Sequence, residues 1–330
     1  MVARVEAGGR QGVGYTYGAS QAAGLIEHEL ADAVRGLEAL DVPRAWRAMV
    51  AAMRNIGRPG LASTAVSAVD AALWDLKGRL LQVPLVSLLG AVRDAVAIYG
   101  SGGFTSYSEP RLQEQLSAWV GAGIRMVKMK VGRNPDADAG RVRSARRAIG
   151  NEARLFVDAN GAYTRKQALA QAERFDEHGV SWFEEPVSSD DLEGLRLLRD
   201  RAPAAMAIAA GEYGYDPVYF RRMLEAGAVD VLQADATRCG GITGFTRAAA
   251  LCEAHGVPLS AHTAPSLHLH PGCALAPVVH LEYFHDHVRL EGMLFDGVVR
   301  PTTGSLRPDL SRPGLGLELR EQDAERFRIG

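Results

Sequence analysis

Seven consecutive short apolar runs in this 330-residue chain stop on side chains that can carry charge. RMVKMKV holds Lys128 and Lys130, ARLFVDAN holds Asp158 and Asn160, and VSWFEEP holds Glu184 and Glu185. Glu212 closes MAIAAGE, Asp235 closes VDVLQAD, His262 lies in VPLSAHT and Glu282 in VVHLEYF. Charges set against apolar interior are costly unless they are paired or bind a metal. Asp158, Glu184 and Glu212 come from three successive runs. Three carboxylates on neighbouring strands, with water and substrate oxygens filling the remaining positions, make a site for a hard cation. With no His or Cys among the three, magnesium is favoured over zinc.

Glu184 and Glu185 cannot both face inward, because neighbouring residues of a strand point to opposite sides. Lys128 and Lys130 do share a side. Two ammonium groups on one face lower each other's proton affinity, which makes one of them a usable base near neutral pH. Asp235 and His262 end adjacent runs. A carboxylate bonded to one imidazole nitrogen fixes the tautomer and raises the basicity of the other. His268, His270, His285 and His287 have no such partner and read as surface or packing residues, with a His268–His270 loop as a candidate pocket wall.

These residues need a scaffold that converges them. Between the runs lie helices with start and stop signals. Pro110 opens one that ends at Gly121, Thr164 caps one followed by Gly179, Asp216–Pro217 starts one that stops at Gly227, and Thr243 starts one that runs to Gly256. Strands alternating with helices from residue 96 to 290 predict a parallel sheet, and eight of them predict an α/β fold, a (β/α)8 TIM-type barrel with its reactive residues at the C-terminal strand ends. Residues 1–95 form an N-terminal capping domain, with a hairpin near Val13 to Tyr17 and a helix over 63–82. Residues 291–330, rich in Gly and Pro, form a C-terminal segment that packs on it.

A formal net charge of -2 excludes the basic excess that draws proteins to nucleic acid or anionic membranes. No apolar run reaches the roughly 20 residues of a membrane helix. Cys239, Cys252 and Cys273 form neither a metal spacing nor an even disulfide set, so they read as free thiols in a reducing compartment, the cytoplasm.

The ordered set SAVDAALWDLKGR, VKMKVG, FVDANGAY, WFEEP, AAGE, LQADATRCGGITG, LSAHT and HLEYF resembles the enolase superfamily, mandelate racemase subgroup (the mandelate racemase/muconate lactonizing enzyme family). The resemblance implies Mg2+ held by Asp158, Glu184 and Glu212, and it selects Glu184 over Glu185. It implies Lys130 as base on one face of the substrate, with Lys128 beside it on a carboxylate oxygen. His262, supported by Asp235, would act from the other face. Glu282 would be a protonated donor to the charged oxygen, and Asn160 would support the metal. The implied reaction removes the proton alpha to a carboxylate through an enediolate, which magnesium and hydrogen-bond donors stabilise. Dehydration of a sugar acid to a 2-keto-3-deoxy acid comes first, and racemisation or epimerisation of a 2-hydroxy acid second. A Schiff-base lyase or a non-catalytic sugar-acid-binding relative are the readings from other classes. The implied partner beyond a small carboxylate is a second copy of the chain, as a homo-oligomer. Relatives carry a further strand and lid loop ahead of the stretch matching VARVEAGGRQGVGYTYG, so that first strand and lid are expected to be missing here.

Overall fold

The computed structural model describes residues 1–328. Eight parallel strands close a barrel: β3 (Val96–Gly102), β4 (Met126–Lys130), β5 (Arg154–Asp158), β6 (Val180–Glu184), β7 (Ala207–Ala210), β8 (Val231–Ala234), β9 (Leu259–Ala261) and β10 (Val278–Phe284). They follow the antiparallel hairpin strands β1 (Val2–Ala7) and β2 (Arg10–Tyr15) of the N-terminal lobe. Closure comes from β10 pairing with β3, Leu281 opposite Ile98 and Glu282 opposite Tyr99. A closed ring leaves no edge, and its strands are covered on both faces, which is why each reads as a short apolar run.

Alternation along the strands sorts the side chains. Val127, Met129, Leu155, Val157 and Phe183 are buried with residues of the surrounding helices in the main core. Phe156, Trp182, Tyr99 and Ala209 form a separate buried cluster. Phe156 and Trp182 stack 5.3 Å apart, and the Tyr99 ring stands edge-on to Phe156 at 5.5 Å. By the period-two rule Lys128, Asp158 and Glu184 share the face of Phe156 and Trp182. Asp158 and Glu184 therefore sit one step above the buried Phe156 and Trp182, and Lys128 lies level with Phe156.

The connecting helices begin where the sequence signals them, with one instructive exception. Ser108 accepts from Arg111 N–H at the head of Glu109–Gly121, Thr164 and Gln167 form a reciprocal capping box at Arg165–Asp176, and Asp216 caps Pro217–Glu225. The helix expected to start at Thr243 instead spans Gly241–His255. Its caps come from the N-terminal lobe. Ser67 Oγ accepts from the N–H groups of Gly240 and Gly241 at 2.9 and 3.1 Å, and Asp70 accepts from Thr243 N–H at 2.9 Å. Gly241 has φ +76°, and a Cβ there would lie 2.2 Å from Asp70 Oδ2, so glycine is the residue that permits this approach.

Ser67 and Asp70 belong to the 21-residue helix Leu61–Leu81, the centre of the N-terminal lobe. Val66, Val69, Leu73 and Leu76 on it are buried, as their helical spacing predicts. Strand β2 lies so close that a Cβ on Gly14 would sit 2.2 Å from Ala68 O. The C-terminal stretch is tied to the same helix: Asp75 accepts from Leu315 N–H at 2.7 Å, and Arg79 pairs with Glu318 at 2.6 Å. No helix among the described residues is long and apolar enough to cross a membrane.

A buried polar joint links lobe to barrel. Glu291 accepts from Tyr15 Oη and Ser266 Oγ, each at 2.6 Å. Burial raises its carboxyl from 4.5 to about 7, against the pull of the Ser266 and Tyr15 hydrogen bonds. Because the folded value exceeds the unfolded one, the unfolded chain releases this proton first as pH rises. The stabilising contribution is complete below about pH 4.5 and is lost as pH climbs through 7, a change of about 3 kcal/mol. Urea unfolding across pH 4.5–8 is expected to show that decline in the wild type and a flatter profile in Glu291→Gln. Parallel profiles would show that Glu291 does not control it.

Candidate active site

The C-terminal ends of the strands bring the sequence-predicted residues together in one place. Asp158 and Glu184 are the last residues of β5 and β6, and sit opposite each other in the ladder. Glu212 lies two residues past β7. All three are buried, and each offers a carboxylate oxygen within 4.8 Å of the others'. Glu212 Oε2 stands 3.2 Å from His262 Nε2 but receives no aligned hydrogen bond. An all-oxygen donor set with a buried, unsatisfied oxygen fits a hard divalent cation, magnesium before zinc.

Lysines bracket this triad on the β4 side. Lys128 is fully buried, its Nζ 2.7 and 2.6 Å from the two Glu184 oxygens, 2.9 Å from Glu282 and 3.5 Å from Asp158. Lys130 pairs with Asp158. The expected mutual depression of the two lysines is overridden here. Burial alone would lower both, and Lys130 does feel Lys128, yet the carboxylates around them hold both ammonium groups above their ordinary range. Four nearby acids outweigh one neighbouring cation.

On the opposite side, Asp235 follows β8 and its Oδ2 accepts from His262 Nδ1 at 2.8 Å. Burial pulls the imidazole down, but Glu212 and Asp235 together raise it to about 10. Asp235 is held well below the usual carboxylate range, burial again opposing and His262 and Arg238 prevailing. Glu282, on β10, departs from the expected neutral donor. Burial would raise it, but Lys128 and His262 hold it at about 2, and it accepts from Thr263 N–H at 2.9 Å. Glu184 goes the other way, raised to about 8 by burial and by Asp158. Asn160 donates its backbone N–H to Asp158 Oδ1 at 2.8 Å, so its support of the triad runs through the main chain.

Further residues join the site without a signal in the strand pattern. Strand alternation puts Glu185 on the side opposite Glu184, facing away or paired with a nearby cation. Instead β6 ends at Glu184, Glu185 has φ +38°, and its side chain is buried beside Glu212, Asp158 and Glu184, which with burial raise it to about 9. Strand alternation lapses where the strand does. Arg238, three residues past Asp235, reaches Glu212 Oε1 at 3.3 Å and Asp235 Oδ2 at 3.5 Å. His287 is no surface histidine: it stacks on Tyr17 of the N-terminal lobe with centroids 3.4 Å apart, and its Nδ1 accepts from Ala264 N–H at 3.3 Å. His268 and His270 lie in the buried helix Pro265–Ala274, not in a loop, and serve packing; His268 Nε2 accepts from Ala236 N–H at 2.8 Å.

Residues 111–324 match the family described as enolase C-terminal domain-like, and residues 1–90 match the mandelate racemase/muconate lactonizing enzyme N-terminal domain. The chain belongs to this family. It is 33% identical over 330 residues to the 3,6-anhydro-alpha-L-galactonate cycloisomerase of Streptomyces coelicolor, covering 98% of this chain and 89% of the relative. It is 33% identical to the L-talarate/galactarate dehydratase of Salmonella typhimurium, covering 95% and 78%. The solved structure of that dehydratase liganded with Mg and L-lyxarohydroxamate superposes with a TM-score of 0.89 at 30% identity, covering 98% and 83%. A mandelate racemase/muconate lactonizing enzyme-like protein from Rubrobacter xylanophilus superposes at 0.96 with 55% identity, covering 98% and 90%.

Proposed function

We propose that this protein is a magnesium-dependent enzyme that removes the proton alpha to the carboxylate of a sugar acid, and that the reaction is dehydration to a 2-keto-3-deoxy acid. The observation that carries this reading is the placement of two bases at opposite edges of one carboxylate triad: Lys130 against Asp158, His262 against Glu212. A substrate carboxylate seated at the triad puts its alpha carbon between them.

Asp158, Glu184 and Glu212 are the proposed metal ligands. With magnesium held there, positive charge is supplied at the substrate carboxylate and the lysines lose two of their counter-ions. Lys130, paired with Asp158 in the present charge balance, then takes the alpha proton as a neutral amine. Lys128 stays protonated between Glu282 and the carboxylate oxygen that gains charge, and donates to it. His262 is held by Asp235 with its Nε2 toward the centre, so it can protonate the departing beta-hydroxyl, which leaves as water.

Similarity to the 3,6-anhydro-alpha-L-galactonate cycloisomerase over 98% of the chain supports a second reading, cycloisomerisation, on the same bases. The test is proton NMR of the protein with magnesium and a panel of sugar acids in heavy water. Loss of water with a 2-keto-3-deoxy product is the expected result. A product of unchanged composition would move the assignment to isomerisation, as would alpha-deuteration alone. No exchange and no product from any acid would overturn the proposal.

A further inference from the structure

Arg238 ties the carboxylate triad to the histidine dyad. It sits in the turn after Asp235, where Asp235 O accepts from Arg238 and Cys239 N–H at 2.9 and 2.8 Å. Asp235 Oδ1 accepts from Thr237 N–H at 2.7 Å, and Thr16 of the N-terminal lobe donates to Thr237 O at 2.6 Å, which fixes the turn from outside the barrel. The guanidinium folds back on the acids. Its Nη1 lies 3.1 Å from Glu212 O and 3.3 Å from Glu212 Oε1, and its Nε lies 3.5 Å from Asp235 Oδ2. The Tyr213 ring backs it at 5.4 Å.

The His262 imidazole closes a ring of contacts with the same two acids. Its Nδ1 meets Asp235 Oδ2 at 2.8 Å, and its Nε2 lies 3.2 Å from Glu212 Oε2. Glu212 is thus divided: Oε1 faces Arg238, while Oε2 faces His262 and is buried without an aligned hydrogen bond. His262 cannot serve a substrate from Nε2 while Glu212 leans on it. For the proposed reaction Glu212 must give Oε2 to the metal and release the ring. An arginine suits this division, because its planar fork holds two carboxylates in a fixed geometry, whereas an ammonium is a single point charge.

We infer that Arg238 is a positioning residue for the reaction, which holds Glu212 through Oε1 so that Oε2 is left to the metal and His262 Nε2 to the substrate. This rests on the magnesium-dependent sugar-acid reading proposed above. In this role Arg238 need not touch the substrate; it acts through Glu212 and Asp235. Without it both carboxylates turn to the imidazole, their other cationic partner on this side, and clamp it between them. The loss falls on the step that His262 performs, protonation of the departing hydroxyl. It spares proton removal by Lys130, which stands against Asp158.

The test reads metal binding and the two proton transfers separately. Loss of a nearby cation by itself tightens magnesium at the triad. Loss of the hold on Glu212 weakens it. Calorimetric titration of substrate-free Arg238→Gln is therefore expected to give about tenfold weaker magnesium binding than wild type. At saturating magnesium, with a sugar acid that the wild type accepts, water release should fall by about 10–100-fold while alpha-proton exchange into heavy water stays within about threefold. Arg238→Lys keeps the charge and lacks the fork, so it should remain impaired in magnesium binding and water release. It also carries the comparison if Arg238→Gln does not fold. Magnesium binding as tight as wild type or tighter, an equal fall in exchange and water release, or full recovery with lysine would each overturn the inference. Weaker magnesium binding in the variant, with no turnover of any sugar acid by wild type, would retire the reaction and keep Arg238 as the residue that holds Glu212. Wild-type turnover with unaltered magnesium binding in the variant would do the reverse.

Discussion

Replacing Lys130 by alanine is expected to lower turnover by roughly 10²–10⁴-fold, the usual contribution of a positioned base, while magnesium binding is retained. Lys130 contacts Asp158, so its loss removes a competitor for that carboxylate and should leave metal affinity equal or higher. The stronger discrimination comes from running His262→Ala beside it. If the two bases serve opposite faces, His262→Ala should still exchange the alpha proton of one epimer in heavy water while failing to release water. Lys130→Ala should fail at both with that epimer. Circular dichroism and magnesium titration establish that each variant is folded and loaded. Unchanged rates in both would remove these residues from the chemistry, and loss of exchange in both for every epimer would place them on the same face.

How far these roles could be read from the residues alone depends on what fixes each side chain. Asp158, Glu184, Lys128 and Lys130 are on or at the ends of regular strands, and the period of two places them inside the barrel together with Phe156 and Trp182. Asp235 and His262 each follow a strand by one residue, close enough for the same inheritance. Glu185 was misplaced because the chain turns through a positive φ there, and no pattern of apolar residues encodes that turn. Arg238 carried a usable clue: a cation three residues past Asp235, in a turn, can fold back on that acid. Tyr17 over His287, and Ser67 and Asp70 at the head of the helix Gly241–His255, gave none. Those contacts join segments more than 170 residues apart, and exist only once the N-terminal lobe is seated on the barrel. Charge state was the least legible property. Here the acids outnumber the lysines, and those around Lys128 come from three other strands at once.

That balance makes Lys128 the most exposed point of the site's stability. Its ammonium is fully buried and touches Glu184, Glu282 and Asp158, so three buried carboxylates share it. Lys128→Met keeps the length and apolar stem of the side chain and removes the charge. Leaving buried acids without their partner costs about 3–5 kcal/mol, and in a chain of this size the melting temperature should fall by roughly 5 °C when measured in a chelator. The acids have one way to recover without titrating, which is to take up a cation. Magnesium should therefore stabilise the variant by a larger increment than the wild type, since ligand binding adds to stability in proportion to RT ln(1 + [Mg]/Kd) and the variant's carboxylates no longer divide their charge with Lys128. Differential scanning fluorimetry with and without magnesium reads both effects. A variant melting within about 2 °C of wild type in chelator would mean that the acids simply protonate at little cost. Equal magnesium increments in the two proteins would mean that the cation does not bind where Lys128 acts. Catalysis should not return with stability, because magnesium replaces the charge of Lys128 on Glu184 but not its N–H donor at the substrate oxygen.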